Sequence, residues 1–365
     1  MKKTTSKALW GGLAIASTAA LLAGCATAPD TASTGGAAAS DYLPCMVSDA
    51  GGFDDKSFNQ LGFQGLEQAA GELGVEFKAV ESAAETDYAS NLQSLVDQNC
   101  STIVTVGFLL APAALESAMA NPEIDYVSID DTVDTDFDGT TDAPNIKPII
   151  FDTAQAAFLA GYLSAGVSQT GVVGTFGGMN IPTVTIFMDG FAQGVAYYNQ
   201  ENGTAVKVIG WDSAAQDGSF TGGFEANDTA RQIAQGLIDQ NADVVLPVGG
   251  PIYQSAASAI EDSGKDIALI GVDADVFETD PSVGPLLLTS ILKGIDVGVY
   301  DTILEAGAGN FDAAPFIGTL ENEGVGLAPF HDWESKVPAD LASKLDELKQ
   351  SIIDGEITVE SYLAS

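Results

Sequence analysis

From about residue 42 onward, short runs of apolar and β-branched residues alternate with stretches of helical period, and that alternation admits few architectures. Strands separated by helices pair in parallel, with the helices covering both faces of the sheet. A first series predicts strands at 45–48, 75–80, 102–106 and 126–129, with helices at 58–73, 88–98 and 112–120 between them. Residues 133–148, rich in Asp, Thr, Gly and Pro, read as a loop. A second series follows: helix 154–166, strand 171–175, helix 184–198, strand 206–211, helix 227–240, strand 244–247, helix 253–262, strands 268–272 and 286–291, and helix 294–306. One sheet of that size would outgrow a single core, so two doubly wound α/β lobes of parallel sheet are expected.

The N-terminus carries a separate message. Lys2, Lys3 and Lys7 precede an apolar run from Ala8 to Leu22, which ends in Leu22-Ala23-Gly24-Cys25. A basic start, an apolar core short for a bilayer and a small-residue cleavage site read as a signal peptide over residues 1–24. Leu-Ala-Gly-Cys resembles the bacterial lipobox, whose cysteine is acylated and becomes the mature N-terminus, so Cys25 is the expected lipidation site. Two acyl chains would hold the protein on the extracytoplasmic face of the cell membrane, since one chain binds only marginally. An ordinary secretory signal that happens to contain a cysteine is the rival reading. Residues 25–40 offer no aliphatic side chain larger than alanine after Cys25 and read as a flexible tether.

The chain has 13 Lys and Arg against 51 Asp and Glu, a net charge of −38. Without the three lysines of the leader the balance is 10 against 51, or about −41. Such a field repels nucleic acid, and no basic cluster offers a phosphate site. The acidity reads first as a solubilising coat, and secondarily as an argument for an uncharged or cationic ligand. Beyond Cys25 only Cys45 and Cys100 remain. In a doubly wound sheet the first and third strands are neighbours, and these cysteines stand at the starts of both, so a disulfide is expected; two free buried thiols are the alternative. There is no CxxC and His331 is the only histidine, so neither a metal nor another cofactor is expected. An exception to weigh is the run Asp131, Asp134, Asp136, Asp138, Asp142, which could hold Ca²⁺ but lacks the terminal glutamate of an EF-hand and reads rather as a solvated loop.

The first chemical signal is Ser48-Asp49-Ala50-Gly51-Gly52-Phe53-Asp54-Asp55-Lys56-Ser57-Phe58-Asn59-Gln60, between the first strand and its helix. Ligands of open α/β sheets bind at that place. The glycines permit a tight turn, Ser57 is placed to cap the helix, and Asp49, Phe58 and Asn59 offer an acceptor, an aromatic face and an amide. The run is neither GxGxxG nor a P-loop. A capped helix start with a solvated acidic loop fits these residues equally well.

SDAGGFDDKSFNQ resembles the opening motif of the basic membrane protein family, substrate-binding lipoproteins of ATP-binding-cassette importers whose characterised members bind purine nucleosides. Further similarities follow in family order: Val106-Gly107-Phe108, Ser128-Ile129-Asp130, Ala157-Phe158-Leu159-Ala160-Gly161-Tyr162, Gly177-Gly178-Met179, the run Phe187 to Gly194, Pro247-Val248-Gly249-Gly250, Gly271-Val272-Asp273-Ala274-Asp275 and Thr289-Ser290-Ile291-Leu292-Lys293. Each is weak alone, but together they span residues 42–327. The resemblance implies the type I periplasmic-binding fold, two lobes joined by three crossings and closing on a ligand. Crossings near Ile150, Leu292 and Asn310 would give a first lobe of 41–150 plus 292–310 and a second of 151–291 plus 311–365. By the same resemblance Asp49, Asn59 and Asp130 would contact the ligand from the first lobe, with Phe58 stacking on the base. Phe187 would oppose it, Gly249 and Gly250 would admit close backbone approach, Asp273 would accept from ribose hydroxyls, and Lys293 would complete that contact. The partners implied are a nucleoside, an ABC permease with its ATPase subunit, and the membrane; the protein is expected to be a monomer.

Plainer roles stand beside these. Phe58 and Phe187 lie on predicted helices, where aromatics usually belong to a core. Lys293 could pair with Asp296. Trp211 could line the cleft or only close it, and Asp54, Asp55, Asp131 and Asp275 read as solvated or capping residues. A sugar or autoinducer-like receptor of the same fold is the alternative function. A nucleoside- or glycoside-hydrolysing enzyme is the rival class, supported only by abundant paired carboxylates, since His331 lacks any pattern for nucleophile activation.

Overall fold

The computed structural model describes residues 41–363; the expected signal peptide, Cys25 and the whole tether lie outside them. In chain order the first part holds β1 (Pro44–Val47), α1 (Phe58–Leu73), β2 (Lys78–Val80), α2 (Tyr88–Asp97), β3 (Thr102–Val106), α3 (Ala111–Ala120), β4 (Asp125–Ile129) and β5 (Ile146–Phe151). Then come α4 (Thr153–Val167), β6 (Val172–Gly177), α5 (Pro182–Asn202), β7 (Lys207–Ile209), the short hairpin β8 (Trp211–Asp212) and β9 (Asp217–Gly218), α6 (Asp228–Asp239), β10 (Val244–Val248), α7 (Ile252–Ser263), β11 (Ala268–Asp273), α8 (Val276–Thr279) and β12 (Leu287–Lys293). The remainder is α9 (Ile295–Gly307), β13 (Phe316–Gly318), β14 (Val325–Leu327) and α10 (Ala339–Ile353).

Two six-stranded sheets result, ordered β13-β5-β4-β3-β1-β2 and β14-β12-β11-β10-β6-β7. Every pairing within them is parallel except that of β14 with β12. This is the type I periplasmic-binding architecture. The strands read as continuous apolar runs because helices cover both faces: all five residues of β3 are buried, with Ile103 entering the cluster under α2 and α3 and Val104 and Val106 the one under α1.

Two differences from the expected layout have physical causes. Residues 146–151 form β5 rather than part of a loop; the composition of 133–148 hid a strand whose Pro148 and Lys147 break the apolar run. β13 pairs with β5 in the first sheet, so the third crossing falls between Gly318 and Val325 instead of near Asn310. The helix α10, which packs on α4, follows that crossing. At the hinge the three passages touch: Asp152 donates its N–H to the carbonyl of Gly318 at 2.8 Å, and Gly294 donates to that of Gly324 at 2.9 Å. A Cβ on Gly324 would stand 2.4 Å from the Cα of Gly318, so only glycine lets these segments run this close. No helix among the described residues is long and apolar enough to cross a membrane.

Cys45 and Cys100 are bonded, with an S–S distance of 2.00 Å and a Cα–Cα distance of 5.9 Å. Cys45 pairs with Ile103 across the β1–β3 register, which brings Cys100, two residues ahead of β3, to its side. The bridge closes a loop with a sequence separation of 55. In the chain-entropy account, a loop of that size contributes about 4 kcal/mol by restricting the unfolded chain. Unfolded, unreduced protein is therefore expected to show no free thiol from this pair, and Cys45→Ala with Cys100→Ala to lose about 4 kcal/mol in denaturant titration. A stability unchanged by the double substitution would contradict the loop-entropy account.

Candidate functional site

The carboxyl ends of both sheets face one cleft, and the connections leaving β1, β3, β4, β10, β11 and β12 all reach it. It encloses ≈ 590 Å³ of space counted to its mouth. Asp49, Phe58, Asn59, Asp130, Phe187, Gly249, Gly250, Asp273 and Lys293 all line it, so the structure brings every ligand-contact candidate of the sequence into one cavity. Trp211, the possible addition, stands apart: its indole N–H donates to Asp189 at 2.9 Å and its ring meets Phe220 edge-on at 6.1 Å, which makes it a brace for the loop after β7.

Asp130 and Asp273 occupy matching places, each at the carboxyl end of its strand, and both adopt the left-handed backbone conformation with φ of 69° and 68°. For a residue other than glycine that conformation is costly, and aspartate is among the few side chains that tolerate it. Its effect is to turn both carboxylates off their strands and into the cleft. Lys293, at the end of β12, lies between them, with Nζ 2.6 Å from Asp130 and 3.9 Å from Asp273. Asp296, the alternative partner, is not the one it takes. The same ammonium stands 5.0 Å from the centre of the Phe58 ring, 5.4 Å from Phe187 and 5.5 Å from Phe151. Three aromatic faces and two carboxylates thus surround a cation that is 4% exposed.

On the opposite wall a chain of hydrogen bonds fixes Asp49. Its Oδ1 accepts from the N–H of Gly51 and from the amide of Asn59, both at 2.7 Å. Asn59 donates its other amide hydrogen to Asp55 at 3.0 Å, while its oxygen accepts the backbone N–H of Asp49 at 3.1 Å. Both amide hydrogens of Asn59 are therefore engaged within the protein, and its first task is to hold Asp49 rather than to donate to a ligand. Asp55, buried and not merely solvated, accepts from the N–H groups of Ser57, Asn59 and Gln60 at 2.9, 2.8 and 3.1 Å. It, not Ser57, caps α1, and a carboxylate is the stronger partner for a helix N-terminus. The remaining acidic candidates serve locally as expected: Asp54 pairs with Lys56, Asp131 accepts from Val133 N–H, and Asp275 caps α8 and meets His331 at 2.8 Å. Asp134, Asp136 and Asp138 gather their carboxylates within 4.8 Å of one another, tied by loop N–H groups such as that of Gly139, outside the cleft.

Phe224 is the lining residue that sequence reasoning missed. Its ring lies against Gly178 and Gly249: a Cβ on Gly249 would meet it at 2.7 Å, and Gly249 has φ of 143°, so glycine is required there twice over. It sits in an aperiodic loop, where the only clue was two phenylalanines, Phe220 and Phe224, among glycines and threonines. Ile181, Val184, Val248 and Pro251 complete an apolar wall.

Three comparisons with known proteins bear on this site. Residues 43–362 match a protein family described as ABC transporter substrate-binding protein, PnrA-like. The chain belongs to this family. An ABC transporter nucleoside-binding protein, BmpA, of Lactococcus lactis subsp. cremoris is 27% identical over 366 residues, covering 96% of this chain and 97% of that protein. A CD4+ T-cell-stimulating antigen of Listeria monocytogenes is 29% identical over 336 residues, 87% of this chain and 88% of that one. Among solved structures, an ABC transporter solute-binding protein from Aeropyrum pernix superposes with a TM-score of 0.77 at 25% identity, over 88% of this chain and 94% of its own. As the substrate-binding component of an ABC transporter this family member is a binding protein, not an enzyme, and it works with a permease and an ATPase on a small ligand.

Burial sets the charge state of the cleft. Desolvation lifts the Asp49 carboxyl to about 6, against hydrogen bonds from Gly51 and Asn59 that lower it. Desolvation likewise lifts Asp273 to about 6, opposed by Lys293 and reinforced by Asp130. In the unfolded chain these groups release their protons near 3.8. The folded state therefore binds extra protons between about pH 4 and 6, and this contribution to stability is lost as the pH rises through about 6. Asp49→Asn, which removes a desolvated charge, is expected to raise the melting temperature of the ligand-free protein at pH 7.5 and to give little gain at pH 4.5. An equal shift at both pH values would show that Asp49 is not buried at this cost.

Proposed function

We propose that this protein captures a nucleoside, a purine nucleoside fitting best, between its two lobes and hands it to a membrane permease. The observation that carries this reading is a cavity lined by Phe58, Phe187 and Phe224 together with an end wall of Asp130, Lys293 and Asp273. A purine offers flat faces, and stacking contributes about 1 to 3 kcal/mol per base. A ribose offers a cis-diol, which an ionised carboxylate accepts through charge-assisted bonds. Asp273 serves the ribose in this reading, with Lys293 and Asp130 beside it, while the free oxygen of Asp49 accepts an N–H donor of the base. Gly249 and Gly250 bring backbone close to the ligand. Four lining carboxylates, Asp49, Asp55, Asp130 and Asp273, against one ammonium disfavour a phosphate, so the free nucleoside and not the nucleotide is the ligand. The Lactococcus relative is named as a nucleoside-binding protein, which supports this choice of ligand.

The same proposal places the protein on the extracytoplasmic face of the cell membrane, held through acylated Cys25, acting as a monomer with lobes 41–151 and 294–318 on one side of the hinge and the rest on the other. No cofactor takes part. Cys25→Ser should abolish incorporation of labelled palmitate and release the protein from the membrane fraction; persistent membrane association would remove the anchor from the proposal.

Titration calorimetry of residues 41–365, unfolded and refolded to strip carried ligand, tests the ligand directly. Guanosine, inosine and adenosine should bind stoichiometrically, GMP and ribose weakly or not at all, and Asp273→Ala should weaken nucleoside binding by at least about 100-fold, the loss of a buried charged partner. Affinity should fall by up to about tenfold per pH unit below about pH 6 as Asp273 takes up its proton. Heat with free sugars alone would move the protein to the sugar-receptor reading, and release of free base during incubation would make it an enzyme.

A further inference from the structure

Ser57 was placed by sequence to cap α1, yet it makes no capping bond. Its hydroxyl instead crosses the cleft. It lies 2.9 Å from the carbonyl of Val272 and 3.0 Å from Oδ2 of Asp273, both at the end of β11 in the opposite lobe, and Ser57 is fully buried. One hydroxyl proton serves two acceptors there. A residue earlier, the carbonyl of Lys56 accepts the hydroxyl of Thr279, in α8 of that same lobe, at 2.6 Å. Lys56 itself takes φ of 61°, the left-handed conformation that turns its carbonyl outward and Ser57 inward. The turn before α1 thus touches the second lobe at two adjacent points, and one of them is the carboxylate that lines the ligand cavity.

The partners shown for the Asp273 carboxylate, at a strand end with φ of 68°, are Ser57 across the cleft and Lys293 at the end of β12, and among the described residues only Ser57 holds it at hydrogen-bond distance. We propose that Ser57 is a positioning residue, whose hydroxyl, brought across the cleft by closure, fixes the Asp273 carboxylate in the orientation that accepts the ligand's sugar hydroxyls. This rests on the nucleoside reading for the identity of the ligand but not for the contact itself. The consequence is a site whose sugar acceptor is complete only when the lobes meet. An open receptor then holds its ligand through the first lobe and hinge alone, and closure adds an aligned acceptor rather than only excluding water. Thr279 adds to closure without touching the cavity.

The groups facing Asp273 are Lys293 from β12, Asp130 from β4, Asp55 from the turn before α1 and Ser57 itself. Losing the hydroxyl removes one contact that favours the ionised form, while Lys293, which also favours it, and the two carboxylates that oppose it remain. The test compares wild type, Ser57→Ala, Ser57→Thr and Thr279→Val in two measurements. Carbon-13 titration of the Asp273 carboxyl in the protein saturated with guanosine, its lobes closed, should show a midpoint raised in Ser57→Ala, restored in Ser57→Thr and unmoved in Thr279→Val. Stopped-flow binding of guanosine should show dissociation about tenfold faster in Ser57→Ala with association within about twofold, and faster dissociation in Thr279→Val too. If Ser57→Ala does not fold, Ser57→Cys, similar in size and a weaker donor, is read in its place. An unmoved Asp273 midpoint in the serine variant, or an equal shift in Thr279→Val, overturns the proposal. Absence of guanosine binding by wild type would remove the nucleoside reading, and the same titration with ribose as the closing ligand would then decide the role of Ser57.

Discussion

Carboxylates drawn from both lobes cannot share one desolvated cleft without a counter-charge, and the ammonium of Lys293 supplies it from the hinge. The position matters more than the charge. β12 is the last strand of the second lobe before the chain returns to the first, so a lysine at its end belongs to both and need not move far when the lobes do. Its ammonium pairs with Asp130 on one side and faces Asp273 on the other, while three phenylalanine rings exclude water and add an attraction of their own. Removing one partner of such a group leaves the rest uncompensated, which makes the cleft a single electrostatic unit rather than a list of contacts.

The backbone gives up local stability to build that unit. Asp130 and Asp273 stand in a conformation that most side chains avoid, at the same place in two sheets of the same topology. A regular continuation of either strand would carry its carboxylate along the sheet instead of into the space between the lobes. The glycines of the hinge and the disulfide between β1 and the start of β3 work in the other direction, since they tie down the scaffold on which these strained residues sit.

Much of this was legible in the residues because parallel sheets advertise themselves. Buried strands such as β4 and β11 are largely apolar runs, and the residue that ends each run abruptly, Asp130 after Ile129 or Asp273 after Val272, is the residue that reaches the cleft. The disulfide followed from the same logic, for the starts of neighbouring strands must lie close. What stayed hidden had no period to show. β5 interrupts its apolar run with lysine and proline, β13 is three residues long, and the third crossing was consequently set too early. Phe224 lies in a loop held by Gly178 and Gly249, and its place depends on contacts between segments far apart in sequence. Ser57 carried a misleading signal: serine ahead of a helix is ordinarily a cap, and only the nearby Asp55, already holding the helix N–H groups, left its hydroxyl free to cross to the other lobe.

The polar inventory of the cavity also constrains what it can accept. The polar side chains on its walls are mostly acceptors: the carboxylates of Asp49, Asp55, Asp130 and Asp273 stand against the ammonium of Lys293 and the hydroxyl of Thr183, with the amide hydrogens of Asn59 already engaged. A ligand must therefore bring donors, and it must bring them at its ends, because the walls between are aromatic and aliphatic. A free sugar has donors around its whole rim, so some would be pressed against phenylalanine and left without partners, a cost of about 1 to 3 kcal/mol each. A nucleoside has none on the faces of its base and several at its two extremities. Specificity of this kind arises less from added attraction than from the penalty on molecules whose polar groups fall in the wrong place.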